Sequence, residues 1–355
     1  MSAEARFDGG QGKMTTGALR IALAGNPNCG KTTVFNAYTG ARQHVGNYPG
    51  VTVDRKEGHV RHGNADITLV DLPGTYSLTA YSMEELVARA ELGSGDVQAV
   101  INVVDASALE RNLLLTVQMM EMGLPVVLVC NMMDEARKAG VHIDMERLSR
   151  MMGIPVVSAV ARTGEGLQQA LGEAVRLAGE GRRRVLELNY GADIDEGLRA
   201  MCAIINREGL LKKYAPHWIA VKLMEGDAEI RKEVHQASSE AAAELDAVRR
   251  KVAEHIRTGH NISMEAYITD ARYGYIRGLL RDGVVRQDPP RRHSPAHGPF
   301  RQGGSYSHAS DFRPAHHAGR TVWPVLCDHR GRRLSPGLGG RWLRRAGRIL
   351  CRDHP

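Results

Sequence analysis

Ala24-Gly25-Asn26-Pro27-Asn28-Cys29-Gly30-Lys31-Thr32-Thr33-Val34-Phe35 is the stretch on which the fold turns. Gly25 is followed by four residues and then by Gly30-Lys31-Thr32, the G-x-x-x-x-G-K-[ST] spacing of a phosphate-binding loop. The run Leu19 to Ala24 reads as a buried strand, and Thr33 to Tyr38 can open a helix, which is the setting this loop requires. Backbone N–H groups of such a turn and of the helix start cradle phosphates where a bulky or acidic side chain would collide. Gly25, Asn26, Pro27, Asn28, Cys29, Gly30, Lys31, Thr32 and Thr33 are therefore expected to surround a polyphosphate. Lys31 would reach the β- and γ-phosphates, and the Thr32 hydroxyl would bind Mg²⁺. Cys29 reads as a small side chain packed under the loop, since a single cysteine makes a poor metal site.

Outward from the loop, apolar strand-like runs alternate with amphipathic ones. Strands are expected over 20–24, 58–61, 67–71, 99–104, 125–130 and 154–158, and helices over 31–38, 83–92, 108–122, 145–152 and 166–177. Runs as apolar as Val126-Val127-Leu128-Val129-Cys130 imply strands covered on both faces, hence an α/β fold with a mainly parallel sheet flanked by helices. Ligands of such sheets sit at the carboxyl ends of the strands. After Gly181-Arg182-Arg183-Arg184 the pattern becomes long, charged and helical: 194–207, 218–224, 228–257 and 263–280. The expected organisation is a flexible N-terminus (1–18), a nucleotide-binding domain (19–180), a smaller all-helical domain (181–286) and a basic tail (287–355). Arg182-Arg183-Arg184 could touch acidic lipid, but a solvated linker is the ordinary reading of such a run.

Three more motifs fall in the required order. Asp71-Leu72-Pro73-Gly74 ends an apolar strand, where Asp71 would bind a water of the Mg²⁺ shell and the Gly74 N–H could meet the γ-phosphate. Asn131-Met132-Met133-Asp134 has the N-x-x-D spacing in which an Asp carboxylate accepts N1–H and the exocyclic amine of guanine, a pattern adenine cannot offer. Met132 stands where Lys is usual, and its flexible thioether can cover the base. Ser158-Ala159-Val160 sits where backbone N–H groups would meet the base oxygen. Between the phosphate loop and Asp71, the glycine-containing run Gly46 to Asp54 suits a mobile segment held by the γ-phosphate, with Thr52 as the Mg²⁺ ligand. His44, His59 and His62 near it read as solvated.

Composition bounds the rest. The chain has 355 residues, five widely spaced cysteines without C-x-x-C pairs, and no run of about 18 apolar residues. A reduced cytosolic protein without disulfides or zinc is the natural inference. The net charge of +7 suggests nucleic acid only until it is divided, because residues 288–355 hold thirteen Arg against four Asp. The rest, with 34 basic and 36 acidic side chains, is nearly neutral. The tail is rich in Pro, Gly and His without periodicity, as a disordered segment would be.

The stretches GNPNCGKTT, VGNYPGVTVDRKEG, DLPGTYSL, NVVDASALERNL, NMMDEA and DARYGYI resemble the ferrous iron transport protein B family of bacteria, from about Leu19 to Arg286. The resemblance implies a GTP-binding domain that hydrolyses GTP slowly to GDP, joined to a helical spacer that slows nucleotide release. In that family a polytopic membrane region for Fe²⁺ follows, in the inner membrane, with this part facing the cytoplasm; a homo-oligomer is conceivable. It further implies that Asn28 binds K⁺ beside the phosphates, where the cation offsets charge as an arginine finger would. Thr75 occupies the place of a water-orienting Gln, so no general base is expected. Because the family continues into apolar helices where this sequence gives Arg, His, Pro and Gly, the tail is expected to be out of frame; a genuine basic, disordered arm that meets acidic lipid or nucleic acid is the rival reading. Reading codons for 312–339 one base later permits an apolar run. A ribosome- or RNA-associated GTPase with a basic arm is the alternative, but 181–286 lacks a GXXG module or interleaved aromatics, so no nucleic-acid partner is expected. A nucleotide sensor that binds without turnover is the third reading.

Overall fold

The computed structural model describes residues 18–288, apart from 41, 42, 49, 80 and 282; the expectations for the N-terminus and the tail lie outside the described residues. Seven strands form one sheet in the order β2-β3-β4-β1-β5-β6-β8. These are β1 Leu19–Gly25, β2 Gln43–Asn47, β3 Asp54–His62, β4 Ala65–Asp71, β5 Ala99–Asp105, β6 Val126–Asn131 and β8 Val156–Ser158. From β4 to β8 neighbours are parallel, and only β3 is reversed, antiparallel to both β2 and β4. The α/β fold read from the apolar strands is thus the observed one. β5 and β6 are buried almost throughout, as strands covered on both faces must be.

The two faces are covered differently. Ile21, Leu23, Ile101, Val103, Val127 and Val129 pack under α1 (Lys31–Thr39) and α6 (Leu167–Glu180) in a closed apolar layer. On the other face Ala22, Val70, Val100 and Leu128 meet α2 (Met83–Gly93), α3 (Leu109–Glu121) and α5 (Met145–Met152). That second core does not stop at the edge of the nucleotide-binding part. It runs on without a break through Trp218, Ile219, Ile268 and Ile276 of the helical part. The helical segment therefore shares a core with the sheet, where the sequence suggested only a following domain.

That segment comprises α7 (Ala192–Glu208), α8 (Pro216–Glu225), α9 (Ala228–Ala237), α10 (Ser239–His260) and α11 (Met264–Arg281). The helix expected over 228–257 is corrected to two. Ser238 is extended (φ −159°); its N–H closes α9 on the Val234 carbonyl, and its hydroxyl accepts from the Ala241 N–H to start α10. Serine competes well for this capping place, and amphipathic periodicity running through the break concealed it. Several short pieces also went unread, β2 among them. α4 (Met133–Lys138) follows β6, and β7 (Val141–Ile143) pairs antiparallel with β9 (Val285–Gln287), so the end of the helical segment returns to the nucleotide-binding part.

Charges seal the junction. Arg272 of α11, 1% exposed, donates to Glu121 at the end of α3 (2.9 Å) and to Glu225 of α8, while Lys222 lies 2.9 Å from Glu225. Tyr190 donates its hydroxyl to Glu121. Burial pushes the Glu225 carboxyl upward, but Lys222 and Arg272 more than offset it and hold it below the usual carboxylate range. Arg89 of α2 meets Asp227, whose other carboxylate oxygen caps α9 at the Ile230 N–H. Removing one partner of such a buried pair costs about 3–5 kcal/mol. Among the described residues, no helix is long and apolar enough to cross a membrane.

Candidate functional site

Register is what assembles the site. Leu23 of β1 stands opposite Asp71 of β4, Gly25 opposite Val103, Asp105 opposite Asn131, and Cys130 opposite Ser158. The carboxyl ends of β1, β4, β6 and β8 are therefore level, and the phosphate loop, Asp71, Asn131 and Ser158 share one edge.

The loop itself is built for close approach. A Cβ on Gly25 would stand 2.5 Å from the Val103 carbonyl oxygen and 2.8 Å from Cys29 Sγ. Gly30 is left-handed (φ +85°), and a Cβ there would stand 2.3 Å from Asn131 Nδ2. Asn28 is also left-handed (φ 67°), a conformation asparagine tolerates, and its side chain is exposed. Cys29 is 1% exposed, and burial pushes its thiol up to about 11, so it packs as a small apolar group. The Asn26 amide is buried, and neither of its polar atoms has a partner.

Lys31 and Asp71 form a buried ion pair, which leaves the Thr32 hydroxyl exposed at the start of α1. The residues fit a Mg²⁺–polyphosphate ligand: a carboxylate, a threonine hydroxyl and a lysine converge on a cradle that a Cβ would fill. Pro27 and Gly74 touch across the loop, with Pro27 Cα 3.6 Å from where a Cβ on Gly74 would stand. The N–H of Thr75 donates to the Gly25 carbonyl (3.3 Å), and the Thr75 residue is 5% exposed. The side chain in the place of a water-orienting Gln is thus turned into the protein.

At the base-recognition end the structure redistributes the expected roles. Asn131, 2% exposed, donates to the Cys29 carbonyl (2.9 Å) and accepts from the Ala161 N–H (2.9 Å). It therefore ties the phosphate loop to the loop after β8. Met132 is left-handed, and its Cε lies 3.6 Å from the Cβ position of Gly30, so its chain reaches over the phosphate loop. Asp134 is half-buried and has an exposed Arg162 at 3.4 Å. The N–H groups expected to face the base oxygen are already engaged: Ala159 donates to the Cys130 carbonyl (2.8 Å) and Val160 to the Glu165 carbonyl (3.1 Å). A bridge from Val160 to Glu165 closes this loop on itself, which is the reason.

Thr52 is the residue the structure does not bring in. The segment over 46–54 is the end of one hairpin strand and the start of the next, with Asn47 opposite Asp54 and the Tyr48 N–H bonded to the Val53 carbonyl (2.9 Å). Thr52 is exposed in the turn. Because Lys56 of β3 stands opposite Asp71, that turn lies at the same sheet edge as the phosphate loop. His44 and His59 are exposed and His62 is half-buried, but the register that sets Lys56 against Asp71 sets His59 against Thr68 and His62 against Ala65, so these last two lie toward the opposite end of the strands and not beside the turn.

Sequence reading missed what anchors the segment after Asp71. Gln118 of α3 accepts from the Leu78 N–H (2.7 Å), and Glu85 collects the Ser77 hydroxyl (2.7 Å), the Thr79 hydroxyl (3.0 Å) and the Tyr81 N–H (3.2 Å). Tyr81 then donates to Glu265 of α11. The spacing Ser82-Met83-Glu84-Glu85 was the available signal, since Ser82 caps α2 at the Glu85 N–H.

Comparison with known proteins follows this geometry. Residues 19–174 match the model of the family described as ferrous iron transport protein B, and residues 190–285 match that of the FeoB cytosolic helical domain. The chain is 45% identical over 271 residues to a fusion of Fe(2+) transport protein A and Fe(2+) transporter FeoB from Porphyromonas gingivalis, covering 74% of this chain and 32% of that protein. It is 38% identical over 271 residues to the Fe(2+) transporter FeoB of Staphylococcus aureus, covering 76% of this chain and 40% of that one. It thus spans about a third to two fifths of the length of these relatives. Among solved structures it is similar to a GDP-bound mutant of S. thermophilus NFeoB (TM-score 0.67, 33% identity, 74% of this chain and 98% of that one). It is similar also to the apo cytosolic domain of T. maritima FeoB (TM-score 0.65, 33% identity, 76% and 100%). None of these matches supports an RNA-associated protein.

Proposed function

The chain belongs to the ferrous iron transport protein B family, and on that premise we propose that it is the GTP-binding, slowly GTP-hydrolysing regulatory part of a ferrous iron transporter. The observation that carries this reading is the convergence of Gly25, the Lys31–Asp71 pair and the Asn131–Asp134 segment at one sheet edge. In the nucleotide-bound protein Lys31 leaves Asp71 for the β- and γ-phosphates, exchanging one charge-assisted contact for others. Asp71, released, and the Thr32 hydroxyl would hold Mg²⁺, Asp71 through water, and the Gly74 N–H would donate to the γ-phosphate. Asp134 exchanges Arg162 for the guanine N1–H and amine. Mg²⁺ and K⁺, when bound, neutralise charge that develops on the phosphate oxygens.

Thr52 enters the site only when its hairpin rearranges, and Asn28, exposed in the loop, is the candidate K⁺ ligand. With Thr75 buried in the place of a water-orienting side chain, backbone groups would orient the water, and intrinsic turnover should be low. The regulated element is a membrane portion of the transporter, with this part on its cytoplasmic side. Guanine selectivity tests the reading. GTP should bind far more tightly than ATP, and Asp134→Asn should shift preference to xanthine nucleotide, whose 2-oxo group needs a donor. Equal affinity of the parent for ATP and GTP would end it.

A further inference from the structure

At the sheet edge opposite the phosphate loop lies a cleft of about 620 Å³ that no step above uses. It opens where β6 and β8 begin, between the ends of α5 and α6, the linker after α6, and Tyr275 of α11. Its accessible apolar surface is Met151, 36% exposed, and the half-buried Ile154, which lie over the buried Met120, Leu124 and Met152. Its rim carries Arg150, Arg176, Arg182 and Arg184 against Glu180 and Glu187.

The arginines are not equally available. Arg176 is held by Glu173 (2.8 Å) and by Glu180, and Arg150 makes one loose exposed contact with Glu146 at 3.7 Å. Arg182 and Arg184 are exposed and meet no carboxylate within ion-pair distance among the described residues. Nor do they hang on a loose linker. The Leu186 N–H donates to the Met120 carbonyl (2.9 Å), and Val185 Cγ2 stands 3.0 Å from where a Cβ on Gly123 would begin. Arg184 Nη1 lies 3.4 Å from the Cβ position of Gly153. The chain up to residue 287 is nearly neutral, so this excess of cation is local.

We propose that this cleft binds the headgroup of an anionic phospholipid, with the phosphate on Arg182 and Arg184 and the first carbons of the acyl chains on Met151 and Ile154, above the buried Met120 and Met152. Guanidinium groups match phosphate oxygens in pairs, and thioether chains adapt to an irregular apolar body. A free phosphate would use the rim alone; an amphiphile would also cover Met151 and Ile154. The choice of a lipid over a soluble ester rests on the reading that this chain works beside a membrane.

The test uses the full chain with ¹³C-labelled methionine methyl groups, titrated with soluble dihexanoyl phosphatidylglycerol. Saturable shifts of the Met120, Met151 and Met152 methyls are expected; lipid bound elsewhere on the chain leaves those three unmoved. Arg182→Gln with Arg184→Gln should weaken the response about thirtyfold, from about 1 kcal/mol per basic residue at an anionic surface. GTP binding by the double variant should be unchanged. Equal shifts with dihexanoyl phosphatidylcholine would overturn the proposal, as would equal shifts with glycerol 3-phosphate, which would make this a site for soluble phosphate esters. Unmoved methyls in all three titrations would also overturn it. Loss of GTP selectivity in the parent would break the nucleotide reading and leave the methyl result standing.

Discussion

The phosphate loop and the hairpin that carries Thr52 lie at the same edge of one sheet, yet they are built in opposite ways. Around the loop, Gly25, Cys29, Lys31, Asp71 and Asn131 are buried; Lys31 pairs with Asp71, Asn131 donates to the Cys29 carbonyl, and the Gly25 carbonyl accepts from Thr75. Thr52 stands exposed in a turn in which backbone hydrogen bonds join Tyr48 to Val51 and Val53. A preorganised cradle binds without losing much conformational freedom, whereas an exposed turn can be ordered or released by one phosphate. On the proposed reading, affinity belongs to the first segment and the response to nucleotide state to the second.

Substitutions that break this contrast should act on the nucleotide-free protein in a graded way. Lys31→Ala leaves Asp71 as a buried carboxylate without its partner and should cost about 3–5 kcal/mol. Thermal or denaturant unfolding without nucleotide measures this, and GTP titration should show the triphosphate affinity falling as well. A variant as stable as the parent would mean that the pair contributes nothing to preorganisation.

Asn131→Ala should come next, because it strands the Ala161 N–H and the Cys29 carbonyl, at about 2–3 kcal/mol for two buried hydrogen bonds. Its GDP affinity should fall together with its stability, since the phosphate loop and the loop after β8 lose their common tie. Normal GDP affinity in a destabilised variant would separate the two.

Asn28 sharpens the comparison further. Asn28→Ala puts a Cβ-bearing residue less tolerant of φ 67° at that position and should cost about 1 kcal/mol, whereas Asn28→Gly should not. Both variants should hydrolyse GTP at the same rate in KCl and NaCl of equal ionic strength if the Asn28 amide is the K⁺ ligand. A potassium advantage retained by the glycine variant would leave Asn28 as a loop-shaping residue.

Thr52→Ala should be the least disruptive. An exposed side chain in a turn should change stability by no more than about 0.5 kcal/mol, and GDP affinity should be unaltered. GTP turnover should nevertheless drop, because the hydroxyl is needed only in the triphosphate state. Unchanged turnover would remove Thr52 from the site and leave the hairpin as an ordinary sheet edge.

Much of this molecule was legible from one dimension. Strands such as β5 and β6 announce themselves because burial on both faces demands unbroken apolar runs, and the phosphate loop because glycine is the residue that fits where a Cβ would strike Val103 or Asn131. Element order, the level carboxyl edge and the residues of the cradle follow from those local constraints. The tertiary structure alone decided the rest. Asn131 became a tie between two loops, the Val160 N–H was taken by Glu165, and the helical segment merged with the α3 face through Glu121, Arg272 and Glu225. Such contacts join residues that lie from five to about a hundred and fifty positions apart and carry no periodicity. A glutamate at the end of an amphipathic helix reads as solvated until another helix supplies the arginine that makes its burial tolerable.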